Sequence, residues 1–328
     1  MSYPVGVQTL PLVLFASSVT LCLAVKTYMG MDTSKSSEKE NNVKTYKIVA
    51  LDLDGTTLNT DHALTTPTIE TLQRLSAKGI QICIATGRSL GAVKNTLNEL
   101  KLGVEVPVVC LNGAMGINMA KDVNSYETVF DSFVPPVSAT KLLDFAAKQG
   151  LVAQYYIDSE VYAAPKTEEH KVLLGRYSVL TGRKQQIVND YSGPVGNAAA
   201  AKILLMTADA DGLIEEAVKY GFDNEFHMIK GSPEPFFVEF LAPGINKGSG
   251  LQRMCDEMKF NIEDVVAFGD GENDKEFLQF AGLGVAMKNA RPLAMAAADV
   301  VNPWTNDEDG VAQYLREMET KNLLHPLL

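Results

Sequence analysis

The feature that most constrains the fold is a series of short apolar runs that alternate with helical patterns after residue 46. Three of these runs, Ile48–Leu51, Ile80–Ala85 and Val106–Leu111, are almost continuously apolar. A strand that is apolar at every position is buried on both faces, which is typical of a parallel sheet covered by helices. The alternation of strand and helix therefore predicts an α/β fold with a doubly wound parallel sheet.

The two helices between these strands are predicted from their end signals. We expect Thr66 to cap the first helix, Pro67 to occupy its first position and Gly79 to end it. The second helix is expected to begin at Ser89. The positions expected to face the core are Ile69, Leu72 and Leu75 in the first helix, and Leu90, Val93, Leu97 and Leu100 in the second.

The pattern changes between residues 116 and 237. Strand-like segments such as "AQYYIDSEVYAA" flank helical segments such as "SATKLLDFAAKQG", in an order that does not continue the alternation. We therefore predict an α+β domain inserted at residues 116–237. The α/β core then consists of residues 46–115 and 238–328, where "NKGSGLQRMCDEMK" predicts a helix and "VVAFGDGEND" predicts a strand followed by a loop.

Residues 1–45 are predicted to be an apolar segment followed by a flexible linker. Residues 9–25 carry no charge, and about 17 residues is the lower limit for a membrane-spanning helix. No basic residue precedes Lys26, which argues against a secretory signal and favours a single uncleaved anchor. Because Lys26 follows the apolar run, the positive-inside tendency would leave the rest of the chain in the cytoplasm. The alternatives are an organelle-targeting segment, a signal peptide and a stretch that packs on the protein itself.

Composition excludes several classes of function. The formal net charge of −11 argues against nucleic acid as a partner, because such a partner requires clustered Lys and Arg. The four cysteines form no CxxC pair, and Cys83 and Cys110 lie in apolar runs, which favours a reducing compartment. The four histidines have no metal-ligand spacing, so a zinc centre or a Ser-His-Asp triad has little support.

Acidic residues gather where predicted strands end, and open α/β sheets bind ligands outside such ends. Asp52 and Asp54 follow the first strand two positions apart, so both can face one side of an extended chain. The loop after "VVAFG" adds Asp270, Asn273 and Asp274. Carboxylates that would repel one another are tolerated when a hard divalent cation binds among them, and Mg²⁺ prefers oxygen ligands together with a substrate phosphate.

Two further residues offer groups that bind an anion. Thr86 provides a hydroxyl after the second strand, and the helix that follows provides unpaired backbone N–H groups. Lys247 adds a positive charge at the start of a predicted helix. An acidic metal site beside groups that bind phosphate oxygens predicts a site of phosphoryl transfer.

Four segments resemble the four motifs of the haloacid dehalogenase superfamily of phosphatases. They are "DLDGTTLN", "ATGR", "INKGSGL" and "GDGENDKEFL". Three more, "LNGA", "GLGVAMKNA" and "NDEDGVA", are similar to segments of its Cof-type branch, whose large cap is inserted between the second and third motifs. The resemblance covers roughly residues 46–315 and leaves residues 1–44 outside.

This resemblance implies a role for each matching residue. Asp52 is implied as the nucleophile that forms an aspartyl-phosphate, and Asp54 as the general acid/base. Thr86 and Lys247 are implied to hold the phosphoryl oxygens. The implied magnesium set is Asp52, Asp54 through its backbone carbonyl, Asp270 and Asp274. Within this set, Asp274 is implied to orient metal-bound waters or Lys247. The implied phosphate or substrate contacts are Gly87, Arg88, Asn112, Gly113 and Asn273.

The function implied is that of a magnesium-dependent phosphatase acting on a small phosphorylated metabolite, either a sugar phosphate or a phosphorylated cofactor. The nearest alternative is a phosphomutase or sugar-phosphate phosphotransferase of the same fold, which keeps the phosphoryl group by excluding water. A catalytically idle, membrane-tethered binding protein is an alternative of another class. The intact set of acidic residues argues against it.

Overall fold

The structure is a computed structural model that describes residues 44–157, 160–231 and 235–327. The predicted apolar segment at residues 9–25 and most of the predicted linker lie outside these residues. Among the described residues, no helix is long and apolar enough to cross a membrane.

Two mixed sheets and the helices around them make up the described chain. Its strands are, in order, β1 (Ile48–Leu51), β2 (Gln81–Ala85), β3 (Val106–Cys110), β4 (Met115–Met119), β5 (Tyr126–Asp131), β6 (Ala153–Ile157), β7 (Glu160–Ala163), β8 (Gln186–Ile187), β9 (Lys202–Met206), β10 (His227–Lys230), β11 (Phe237–Leu241), β12 (Val265–Gly269), β13 (Leu283–Ala286) and β14 (Val300–Val301). Its α-helices are α1 (Thr66–Ala77), α2 (Leu90–Leu100), α3 (Pro136–Lys148), α4 (Glu168–Thr181), α5 (Ser192–Asn197), α6 (Ala210–Lys219), α7 (Lys247–Met258), α8 (Lys275–Phe280), α9 (Pro292–Ala297) and α10 (Gly310–Thr320).

The first sheet has the strand order β14-β13-β12-β1-β2-β3-β4-β5. The strands from β14 to β3 are parallel, while β4 and β5 are antiparallel to their neighbours. Strands β1, β3 and β12 are buried at every residue, as the continuous apolar runs predict. Helices pack in two groups, α1 with α2 and α10, and α8 with α7 and α9, as expected when helices cover both faces of the sheet. The predicted doubly wound α/β class is confirmed.

Strand order determines where the site lies. β1 is flanked by β12 on one side and β2 on the other, so the chain connections diverge at this point of the sheet. The loops that leave the carboxyl ends of β1, β2, β3 and β12 meet at one edge, which is where ligands bind in folds of this type. These four loops carry the acidic, hydroxyl and amide residues singled out in the sequence.

The second sheet has the order β10-β11-β9-β6-β7-β8 and is antiparallel except for the pair β7–β8. It therefore differs in kind from the first sheet, as predicted for the insert. Strands β4 and β5 extend the first sheet, although all their residues except Met115 fall inside the predicted insert at 116–237. Strand β11 belongs to the second sheet although it runs past residue 237. A single tight turn joins β3 to β4, and strands connected so closely pair as neighbours.

The first helix begins one residue earlier than predicted. Thr65 is the N-cap of α1, its Oγ1 accepting from the backbone N of Thr68 at 3.4 Å, so Thr66 is the first helical residue and Pro67 the second. Two consecutive threonines are equally good caps by sequence. Asp309, from the start of α10, accepts a hydrogen bond from Thr65 Oγ1 at 2.5 Å and so favours Thr65 as the cap. The predicted start of the second helix at Ser89 is confirmed, because Ser89 is the N-cap of α2 and Leu90 its first helical residue.

Candidate active site

A cavity of about 990 Å³ lies between the carboxyl edge of the first sheet and the second sheet. On one side it is lined by residues of the β1, β2, β3 and β12 loops, including Asp52, Arg88 and Asp270. Apolar and aromatic side chains from the insert, such as Tyr156 and Phe237, contribute to the other side. This volume is at the upper end of the range typical of small-molecule sites.

Lys247 is the central cation at the floor of this site. It is the first residue of α7, whose N-cap Asn246 accepts a hydrogen bond from Ser249 N and so fixes where the helix starts. The Lys247 side chain is fully buried, and its Nζ donates to Asp52 Oδ1 at 2.7 Å and to Asp274 Oδ1 at 2.5 Å. The structure therefore brings Lys247 together with the acidic residues that follow β1 and β12.

Asp274 and Asp270 are fixed by different partners. Oδ2 of Asp274 accepts from the backbone N of Asp270 and of Gly271, at 3.0 and 2.8 Å, so both oxygens of Asp274 are already in use. Asp270 Oδ1 accepts from Thr56 Oγ1 at 2.9 Å. Carboxylate oxygens of Asp52, Asp270 and Asp274 all lie within 4.8 Å of one another. The cluster could hold a metal ion, with Asp52 and Asp270 offering the less occupied oxygens.

Electrostatics support a cation at this position. Burial, and then the charge of Asp274, raise the pKa of Asp52 well above its ordinary value, despite Lys247. The same two causes raise the pKa of Asp270 to about 7. Burial lowers the pKa of Lys247, but Asp274 and Asp52 outweigh it and raise that pKa overall. One ammonium group thus faces three carboxyl groups, and a divalent cation with a preference for oxygen would balance the negative charge that Lys247 leaves uncompensated.

Asp54 does not join this cluster with its side chain. Its Oδ2 accepts from Arg88 Nε at 2.7 Å and its Oδ1 from Arg88 Nη2 at 2.5 Å. Asp54 Oδ1 also lies 3.0 Å from His62 Nδ1. Burial acts to raise the pKa of Asp54, but the hydrogen bonds and charge of Arg88, with His62, lower it overall. In this conformation Asp54 is an ionised carboxylate bound by Arg88.

Thr86 lies in the loop after β2 and is buried. Its Oγ1 accepts from the backbone N of Arg88 at 3.1 Å, which curls the loop from Thr86 to Arg88 around Gly87. Asn112, in the turn after β3, packs against this loop: a Cβ added to Gly87 would come within 3.0 Å of Asn112 Oδ1. Asn273 Nδ2 donates to the same Oδ1 at 2.9 Å. The structure thus brings Gly87, Arg88, Asn112 and Asn273 together at the cavity.

Gly113 is placed differently from the other predicted contacts. It has a φ of +99°, and a Cβ there would lie 2.1 Å from the carbonyl oxygen of Asn246. Its lack of a side chain lets the turn after β3 pack against the start of α7. Gly113 thereby helps to position Lys247, and it does not line the cavity.

Sequence reasoning missed several side chains of the site. His62 and Thr56 contact predicted residues directly, and neither stands out in the sequence. Lys202 and Glu239 form an ion pair of 2.7 Å with side chains only 4% and 9% exposed, and both line the cavity. A usable signal existed for this pair, because each is a lone charge within an otherwise apolar strand, and charged residues are rarely buried unless paired.

The fold and the site together define an enzyme of the phosphoryl-transfer class, a phosphoric monoester hydrolase. The chain belongs to the haloacid dehalogenase superfamily, in its Cof-type branch: the family model of haloacid dehalogenase-like hydrolases matches residues 49–315.

Known proteins agree with this assignment over most of their length. The 5-amino-6-(5-phospho-D-ribitylamino)uracil phosphatase YitU of Bacillus subtilis is 31% identical over 276 residues, covering 82% of this chain and 96% of that protein. The phosphatase YwpJ of the same organism is 27% identical, covering 83% and 99%. A crystal structure of a haloacid dehalogenase-like hydrolase from Bacteroides thetaiotaomicron superposes with a TM-score of 0.70 at 27% identity, covering 83% of this chain and 99% of that one.

Proposed function

We propose that the protein is a magnesium-dependent phosphatase that hydrolyses a small phosphomonoester through an aspartyl-phosphate on Asp52. The observation that carries this proposal is the buried cluster of Asp52, Lys247, Asp274 and Asp270 at the floor of a ligand-sized cavity. A lysine and a metal-binding group of carboxylates, both held rigidly before substrate arrives, supply the positioning and charge neutralisation that phosphoryl transfer requires.

Asp52, Asp270 and the backbone carbonyl of Asp54 would hold Mg²⁺, with Asp274 fixing Lys247 and the loop after β12. Bound there, Mg²⁺ would neutralise charge on the phosphoryl group. The chemistry of the donor set fits, because the available groups are all hard oxygen donors.

In the first step Asp52 attacks phosphorus, a phosphorus–oxygen bond to Asp52 forms, and the bond to the leaving oxygen breaks. Lys247 and Thr86 hold the phosphoryl oxygens. Asp54 first takes a proton from solvent and then gives it to the leaving oxygen, so the leaving group departs as an alcohol. This requires Asp54 to exchange its contact with Arg88 for one with substrate, and Arg88 is then free to bind a phosphate or substrate oxygen.

In the second step water attacks phosphorus of the aspartyl-phosphate. Asp54, now a carboxylate, takes a proton from this water as its oxygen bonds to phosphorus. The phosphorus–oxygen bond to Asp52 breaks, which restores the Asp52 carboxylate and releases orthophosphate. The lowered pKa of Asp54 suits this step, because it keeps the group deprotonated near neutral pH.

The leaving group is proposed to be a sugar or the alcohol part of a cofactor. The cavity has room for either, and its wall from the insert combines aromatic residues with polar ones. The relative YitU is named for a phosphorylated ribitylaminouracil, which makes that compound a specific candidate for the second class.

A phosphate-release screen tests the proposal. The full-length protein with Mg²⁺ is incubated with a panel of sugar phosphates and phosphorylated cofactors, including 5-amino-6-(5-phospho-D-ribitylamino)uracil. Asp52→Asn is the blank, and Asp144→Asn, an exposed position on α3, is the matched control. We expect orthophosphate from the wild type and the control alone. Transfer of the phosphoryl group to a second sugar without release would instead establish the phosphotransferase alternative.

A further inference from the structure

The buried ion pair of Lys202 and Glu239 has no part in the mechanism above, yet it connects the second sheet to the phosphate-binding loops. Lys202 is the first residue of β9 and Glu239 lies in β11, its neighbour in the second sheet. Lys202 Nζ donates to Glu239 Oε1 at 2.7 Å. Burying a charged pair is unfavourable unless its remaining hydrogen-bonding groups are also satisfied, so the partners of the second Glu239 oxygen are informative.

That second oxygen binds the core across the cavity. Asn112 Nδ2 donates to Glu239 Oε2 at 2.9 Å, and Asn273 Nδ2 donates to Asn112 Oδ1 at 2.9 Å. The amide of Asn112 is therefore fixed at both ends. Lys202 Nζ lies 3.5 Å from the carbonyl oxygen of Gly87. The ion pair thus contacts both the turn after β3 and the loop after β2.

The turn that carries Asn112 needs such support. Leu111, Asn112 and Gly113 have φ values of 55°, 54° and 99°, a run of left-handed conformations. Such conformations are unfavourable for residues with a side chain, Asn less so than Leu, and they persist only where surrounding contacts enforce them. Leu111 N donates to Arg88 O and Asn112 N to Thr86 O, at 3.0 and 3.1 Å. Any shift of the turn therefore shifts the phosphate-binding loop.

We propose that Glu239 is a positioning residue for phosphate binding, which acts through Asn112, and that Lys202 balances its charge. The inference rests on the proposed function. Glu239 would otherwise place an uncompensated negative charge beside a phosphate dianion. Paired with Lys202, it serves as a neutral support from the second sheet that holds the turn after β3 and, through it, the loop from Thr86 to Arg88.

The principal test replaces Glu239 by Gln in the full-length protein. The single carbonyl oxygen of Gln can accept from Lys202 or from Asn112, and its NH₂ must then face the other donor. We expect the inhibition constant of orthophosphate to rise about tenfold to a hundredfold, the range for losing a hydrogen bond to a charged group. Because the effect is on the phosphoryl group, kcat/KM should fall by a similar factor for every active monoester.

Two further variants separate positioning from a general effect on folding. In the double variant Glu239→Gln and Lys202→Gln, the Gln at 239 can accept from Asn112 and donate to the Gln at 202, so most of the phosphate affinity should return. Glu225→Gln is the matched control, because it breaks an ion pair of the insert, with Lys141 at 2.8 Å, that does not line the cavity. Combining Asn112→Ala with Glu239→Gln should be no worse than Asn112→Ala alone.

Several outcomes would overturn the proposal. A Glu239→Gln variant that melts earlier while the orthophosphate constant and kcat/KM stay at wild-type values would reduce the pair to a structural role. Altered selectivity among monoesters at unchanged orthophosphate affinity would make Glu239 a contact of the leaving group. If the wild type releases no phosphate from any monoester, the proposed function fails, and the positioning role is tested separately by calorimetric binding of orthophosphate to the wild type and to Glu239→Gln. Equal affinities would refute the positioning role, and weaker binding by Glu239→Gln would support it.

Discussion

Asp52 and Asp54 follow the same strand but have different surroundings, and this predicts different kinetic defects. Asp52 is buried against Lys247, whereas the Asp54 side chain is 44% exposed and bonds to Arg88 and His62. Replacing Asp54 by Asn removes a group proposed to transfer protons and leaves Asp52 able to attack. We expect this variant to form the aspartyl-phosphate and then to hydrolyse it slowly, whereas Asp52→Asn should form none.

The expected magnitudes separate a catalytic effect from a folding effect. An ion pair as exposed as that of Asp54 and Arg88 contributes about 0–1 kcal/mol to the free energy of unfolding. Loss of a general acid/base costs about 10²–10⁴-fold in rate, or about 3–5 kcal/mol of activation free energy. Since the second quantity is several times the first, Asp54→Asn should unfold within a few degrees of the wild type while turnover falls by orders of magnitude.

The assay is rapid acid quench followed by mass spectrometry, with p-nitrophenyl phosphate as substrate. Its leaving group needs little protonation, so the first step should suffer less than the second, and phosphoenzyme should accumulate in Asp54→Asn. Peptide mapping should place the added phosphoryl group on Asp52. A phosphoryl group on Asp54 of the unmodified protein, or an undiminished one in Asp52→Asn, would refute this division of roles.

Three further predictions follow from the site and the packing around it. Chelation of divalent cations should abolish turnover and added Mg²⁺ should restore it; full activity in excess chelator would exclude the proposed metal site. Gly113→Ala should lower the free energy of unfolding by about 2–4 kcal/mol and reduce activity, because the added Cβ would collide with Asn246 O. Gly103 also has a positive φ but open space around it, so Gly103→Ala should cost only about 1 kcal/mol. Burial raises the pKa of Glu319, but hydrogen bonds from Arg74 and Lys78 lower it overall. The stabilising contribution of Glu319 is therefore present above the unfolded pKa of about 4.3 and is lost as pH falls through the folded pKa. Glu319→Gln should therefore lower Tm more at pH 7 than near pH 3, and equal shifts at both pH values would contradict the reasoning.

Much of the core could be predicted from the sequence, because a strand buried on both faces leaves an unmistakable apolar run. The helix at Lys247 and the strand before Asp270 were predictable for a related reason, since caps and turns are local signals. The first helix was misplaced by one residue because Thr65 and Thr66 are chemically equivalent caps, and a contact with distant Asp309 favours the first.

Other features depend on contacts between distant parts of the chain and leave no local signal. The hairpin of β4 and β5 has the same alternating pattern whichever sheet it joins. The bond from Arg88 to Asp54 depends on which way each side chain turns, and sequence spacing says nothing about that. Lys202 and Glu239 stand 37 positions apart, and only the pairing of β9 with β11 makes them partners.

The outer strands of the two sheets affect how copies of the protein meet at high concentration. An exposed edge strand offers unpaired backbone groups on which a second chain can add, which is a common route to aggregation. In the described part of the chain, β14 and β8 are only two residues long, and β10, the other edge of the second sheet, has four residues. β5 is longer, but its exposed positions include Glu127 and Asp131. Strand addition from another copy would therefore gain few hydrogen bonds and bring like charges together, so these edges disfavour assembly by sheet extension.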